Sequence, residues 1–147
     1  MTVAPTDALA AGAAGALLSA VPSTTWTVLR GESLLDGATA AGSIVLRDER
    51  RTLPLLAAAV PVHLALSFGW AAVLSAGLPR GRELDGAVAA ALAIAALDLG
   101  VVARVWFPRI RALPQGRQWA DHVAYGLAVG LVLRARRRAR LSPPGAR

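Results

Sequence analysis

Two stretches of the chain, 8–29 and 53–78, carry no charged residue at all. A helix rises about 1.5 Å per residue, so about 20 apolar residues cross about 30 Å of hydrocarbon. Both stretches therefore predict membrane spans. Thr6 and Asp7 stand before the first as N-capping residues, and Arg30 and Gly31 close it. Arg50 and Arg51 precede the second, and Pro79 and Arg80 follow it. A third apolar segment, 86–107, is interrupted by Asp98 and ends near Arg104, Trp106 and Phe107. A fourth, 119–133, is shorter and opens with Asp121 and His122 in its first turn. No stretch alternates as a strand would, and no internal repeat is visible. The predicted fold is all-α: one integral membrane bundle of four transmembrane helices over 1–140.

Between the first two spans, 33–46 is apolar but broken by Asp36. At that length it is too short to cross, which predicts an interfacial or re-entrant helix. Pro22 and Pro61 should each kink or locally unwind their span, freeing backbone groups that neighbouring helices must satisfy. Trp26, Trp70, Trp106 and Trp119 fall near predicted span ends or upper turns, where interfacial aromatics belong. The segment 141–147 contains Ser-Pro-Pro-Gly and predicts a disordered basic tail. Asp7 is the sole charge near the start of the first span, with no basic run before it, so this segment reads as an uncleaved helix rather than a secretory signal.

Composition strengthens the membrane reading. Hydrophobic residues make up 55% of the 147 and charged residues 17%, with a mean hydropathy of +0.51. Soluble domains carry about 25% charged residues. With no cysteine and two histidines, the chain holds no disulfide or thiolate site and offers little for zinc, so neither a metal nor a cofactor is expected. All sixteen basic residues are arginine, the net charge is +7, and alanine is abundant, a bias of high-GC bacterial coding. Arg134, Arg136, Arg137, Arg138 and Arg140 follow the last apolar segment directly. After a hydrophobic helix such a run predicts a cytoplasmic anchor on anionic lipid headgroups. Nucleic acid is not an expected partner, because no aromatic platform accompanies the arginines. With four spans both termini share a side, and the arginine-dense end places that side in the cytoplasm of a cell inner (plasma) membrane, although Arg109, Arg111 and Arg117 lie in the opposite connection.

Depth along antiparallel helices can be compared from the sequence. His63 lies ten residues after Leu53 and Asp98 nine before Phe107, which puts both about 14 Å from one surface if spans two and three are neighbours. A hydrogen-bonded or ionic His63–Asp98 pair is expected, with Ser19 of the first span at a comparable depth. Nearer that surface, an Arg104–Asp121 salt bridge would cancel two charges, with His122 beside it. Such residues serve either to fix helix register or to handle a proton, ion or ligand. Gly126 and Gly130 form a GxxxG in the fourth span, and Gly12 and Gly15 lie on small-residue ridges of the first. These patterns suit packing within the chain or between copies equally.

The stretches GALLSAVPSTTWTVLRG, ALDLGVVARVWFPRIRALP and WADHVAYGLAVG resemble a group of small multi-pass membrane proteins of high-GC actinobacteria. The resemblance spans 15–133. It implies a multi-pass membrane fold and carries no activity to transfer. The expected role is non-enzymatic: an accessory, assembly or structural component packing with itself or with a larger membrane partner. The alternative is a small oligomeric proton or ion transporter using Asp98 and His63. An intramembrane enzyme has least support, since no HExxH or GxSxG is present and Ser19, His63 and Asp98 form a nominal triad by depth alone.

Overall fold

The structure, a computed structural model, describes residues 5–141. Among these residues every regular element is helical. Helix α1 (Pro5–Leu18) runs from what is termed the proximal end, and α2 (Val21–Arg30) completes the crossing to the distal end. Helix α3 (Leu35–Gly42) lies in the first connection, α4 (Thr52–Gly77) returns to the proximal end, and α5 (Glu83–Leu97) starts back. It continues through a π-helical segment (Asp98–Val102) into α6 (Ala103–Trp106). The short α7 (Pro108–Ala112) leads to α8 (Gln115–Ala139), which returns to the proximal end.

Three helical stretches, Pro5–Arg30, Thr52–Gly77 and Glu83–Trp106, are long and apolar enough to cross a membrane. The four-span expectation is thus met three times. Helix α8 has the length, but the polar residues at both of its ends dilute its apolar middle. It also outruns the expected 119–133 in both directions. The interfacial segment expected at 33–46 condenses into the eight-residue α3, whose Gly42 rests on the backbone of Leu55 in α4. The expected basic tail lies, from Ser142 onward, outside the described residues.

Pro22 acts as the sequence predicts, whereas Pro61 does not unwind its helix. Helix α1 stops at Leu18, Ser19 and Ala20 form a turn, and Pro22 sits in the first turn of α2, where its missing N–H costs least. Helix α4 runs unbroken through Pro61.

Consecutive long helices are not neighbours throughout. Helix α1 packs between α4 and α8, and α8 packs between α1 and α5, so each major contact is antiparallel. The α5–α8 seam is closed by the GxxxG. A Cβ on Gly126 would stand 2.7 Å from Ala91 Cβ and 2.8 Å from Ala87 O, and one on Gly130 would stand 2.8 Å from Glu83 O. Gly12 meets Phe68 of α4 and Gly15 meets Tyr125 of α8 with the same lack of room. All four glycines therefore serve packing within the chain, where small residues let backbones approach.

The burial profile is inverted relative to a protein folded in water. Among the described residues nine of the sixteen buried hydrophobic side chains are alanine, whereas large side chains such as Leu17, Leu29, Leu53, Val60, Val105 and Leu131 are exposed. Water would make so extensive an apolar exterior costly, whereas lipid solvates it.

Candidate functional site

The break at Ser19–Ala20 has a direct electrostatic consequence. The last hydrogen bond of α1 runs from Ser19 N–H to Gly15 O. The next carbonyl, Ala16 O, is bonded at 2.8 Å by His63 Nε2 of α4, which donates as the N–H tautomer. Beyond the turn, Ser23 N–H donates to Asp121 Oδ1 of α8 at 2.9 Å. Side chains from two other helices thus satisfy an acceptor and a donor released near the proline, as buried backbone groups require.

His63 and Asp98 are not a pair. They were expected to meet because spans two and three follow one another in sequence, but α8 lies between α1 and α5, and α4 does not pack along α5. The partner of Asp98 comes from α8 instead: His122 Nε2 stands 3.6 Å from Asp98 Oδ2. His122 Nδ1 is bonded to Gln118 O, one turn back on its own helix, at 2.8 Å. Asp121 lies within electrostatic range of both His122 and His63. Of the residues expected at mid-depth, His63 ends on the α1 backbone and Asp98 meets His122, while Asp121 and His122, expected nearer the surface, reach Ser23 and Asp98 from α8.

The other expectations fare differently. Arg104 is exposed and forms no salt bridge with Asp121, which is spent on Ser23. Ser19 is buried beside the break, and no bond joins it to His63 or Asp98, so the nominal triad is not assembled. Asp98 is also the first residue of the π-helical segment. Such bulges widen the helix locally and often occur at functional positions.

At the proximal end lies a second polar cluster, which sequence reasoning missed. Asp7 and Glu83, 5% and 4% exposed, are buried carboxylates in the first turns of α1 and α5. Arg136 Nε and Arg140 Nη2 both reach Asp7 Oδ1, at 2.7 and 2.8 Å. Arg137 pairs with Glu83 Oε1 at 3.1 Å and donates to Ser75 O and Leu78 O, the carbonyls that end α4. Glu83 Oε2 in turn accepts from the N–H of Gly81, whose φ of +82° turns the chain between α4 and α5. Three of the five arginines expected on headgroups thus bond buried carboxylates at helix ends, Arg137 largely buried, Arg136 part-exposed and Arg140 exposed. The signal was present in the spacing: residues 136 and 140 share a helical face, and 137 lies one step round it.

The distal end is held by weaker contacts. Arg117 of α8 pairs with Glu32, with Nη2 3.0 Å from Oε1, and its guanidinium also lies over Trp26. That bond holds the Glu32 carboxyl below its usual range. Arg51 and two backbone amides bring Glu49 down to about 2. Trp26, Trp106 and Trp119 are all exposed at this end, while Trp70 packs against the core nearer the proximal end. Among the described residues no three His, Asp or Glu converge as a metal site.

Comparison with protein-family models, with curated proteins and with solved structures finds no match.

Proposed function

We propose that this chain is a four-span integral membrane protein of the plasma membrane with a non-enzymatic role, an accessory or structural component that packs with a larger membrane partner or with itself. The observation that carries this reading is where the interior polar groups are spent. His63 and Asp121 terminate on the backbone of a proline-broken helix, and the buried acids terminate on arginines. Side chains committed in this way hold helices in register.

Helix α8 is the fourth crossing. It touches Ser23 through Asp121 and Asp7 through Arg136, so over 15 residues, about 22 Å, it lies alongside the stretch Pro5–Arg30. If that stretch crosses, α8 crosses with it. Its low apolarity follows from its central place, where it meets helices on several sides rather than lipid. The fifteen arginines among the described residues divide almost evenly, eight toward the distal end and seven toward the proximal, so the total does not set orientation. The density of five within 134–140 assigns the proximal end, and with it both ends of the described chain, to the cytoplasm.

Purification from native membranes in mild detergent tests the role, with a stoichiometric membrane partner or a defined homo-oligomer as the expected result. A lone monomer contradicts it. One observation favours a second reading, proton or ion handling: Asp98 and His122 are partly exposed, with side chains 35% and 23% accessible, at the start of a π-helical segment. Proton flux in liposomes that Asp98→Asn abolishes would establish it. Flux no higher than in empty liposomes would remove it.

A further inference from the structure

A groove of about 800 Å³ opens at the proximal end between α5 and α8, away from the polar cluster at mid-depth. Its apolar wall is Leu84, Val88 and Leu92, one stripe of α5 at four-residue spacing. Leu84 and Val88 are half-buried and Leu92 is exposed. Its rim carries Arg80, Arg134, Arg137 and Arg138 against Glu83 and Asp85, four positive charges against two negative. Arg137 is committed to Glu83. Half-buried Arg134 has no ion-pair partner among the described residues.

The groove is graded along the bundle. On α8, Arg134 and Arg138 line the groove and exposed Leu127 and Leu131 continue their stripe beyond it, so this face passes from apolar to cationic over about 16 Å toward the proximal end. On α5 the same direction runs from Leu92 up to the charged turn at Glu83. Apolar below and cationic above is the polarity of a phospholipid inverted in charge. Guanidinium groups suit phosphate because they donate two parallel hydrogen bonds to its oxygens.

We propose that this groove is a site for one anionic phospholipid, its phosphate on Arg134 and the neighbouring rim and its acyl chains along Val88, Leu92 and Leu131. The proposal rests on the lipid-embedded reading and gives its lipid contacts a specific place. Because Arg134 has no ion-pair partner among the described residues, a headgroup of net negative charge is preferred over a zwitterionic one of equal size.

Native mass spectrometry of the full chain in mild detergent tests it, with phosphatidylglycerol, phosphatidylcholine and inorganic phosphate as probes. One phosphatidylglycerol per chain is expected to persist where phosphatidylcholine is shed. Arg134→Gln should weaken retention about fivefold. Val88→Trp, which fills the groove without altering charge, should also weaken it, whereas Arg109→Gln at the distal end should not. Inorganic phosphate should not displace the lipid. Equal retention of both lipids, indifference to Arg134→Gln in a variant that melts normally, or full displacement by phosphate would each overturn the proposal. Failure of the membrane reading itself would appear differently, as a chain that stays monomeric in buffer without detergent.

Discussion

Near its distal start α8 lends side chains to other groups of the bundle: Asp121 to an amide left beside a proline, and His122 to Asp98 at 3.6 Å. At its proximal finish it drives arginines onto carboxylates that are almost wholly buried. The first arrangement needs no full charge to work. The second is sensitive to loss of an arginine, because a buried carboxylate is then left ionised with fewer partners. The two regions therefore differ in how much stability a single side chain can withdraw, and in which substitutions spare it.

The largest effect is expected at the proximal end. Arg137→Gln strands Glu83 and the terminal carbonyls of α4 and should cost about 3 kcal/mol or more in detergent unfolding. Adding Glu83→Gln should recover part of that loss. A single variant that melts like the parent would erase the contrast. Next is the seam between the two regions: Gly126→Leu or Gly130→Leu presses against α5 backbone and should cost about 1–3 kcal/mol. At the helix break, Asp121→Ala leaves Ser23 N–H unpaired, for about 1–3 kcal/mol, whereas Asp121→Asn keeps an acceptor and should lose little. Faster hydrogen exchange of the Ser23 amide in the alanine variant alone would sharpen the assignment. The smallest effect belongs to the exposed Glu32–Arg117 pair. The Glu32 carboxyl is held below its unfolded value, so its contribution is present at neutral pH and is lost as pH falls through the folded value. The difference in melting temperature between Glu32→Gln and the parent should be greatest near pH 7 and vanish on acidification.

Much of this architecture was legible in the residues. Long apolar runs, two of them uncharged, marked the three stretches able to cross a membrane, and Pro22 marked the place where a helix would part and require outside hydrogen-bond partners. Which side chains would serve it was not legible. The His63–Asp98 pairing assumed that consecutive helices touch, while Gly126 and Gly130 draw α8 against α5 and Gly15 draws it against α1, placing His122 where His63 was expected. The spacing picked out polar residues that do bond between helices but paired them wrongly, since rise per residue compares positions along helices while packing of distant segments decides which helices touch. Helix α8 was underestimated in length for a related reason. Its arginines look like a solvated end until Asp7 and Glu83, more than fifty residues away in sequence, are seen buried against them. No residue pattern announced the π-helical turn at Asp98.

The proposed four-span topology requires α8 to cross beside α1 and α2, although its composition alone does not. The chain has no cysteine, so single cysteines report without background. With Pro79→Cys, Gly116→Cys and Leu141→Cys in sealed, oriented vesicles, an impermeant thiol reagent should label Pro79→Cys and Leu141→Cys from one side and Gly116→Cys from the other alone. Labelling of Gly116→Cys and Leu141→Cys from the same side would leave three crossings and contradict the bundle as described.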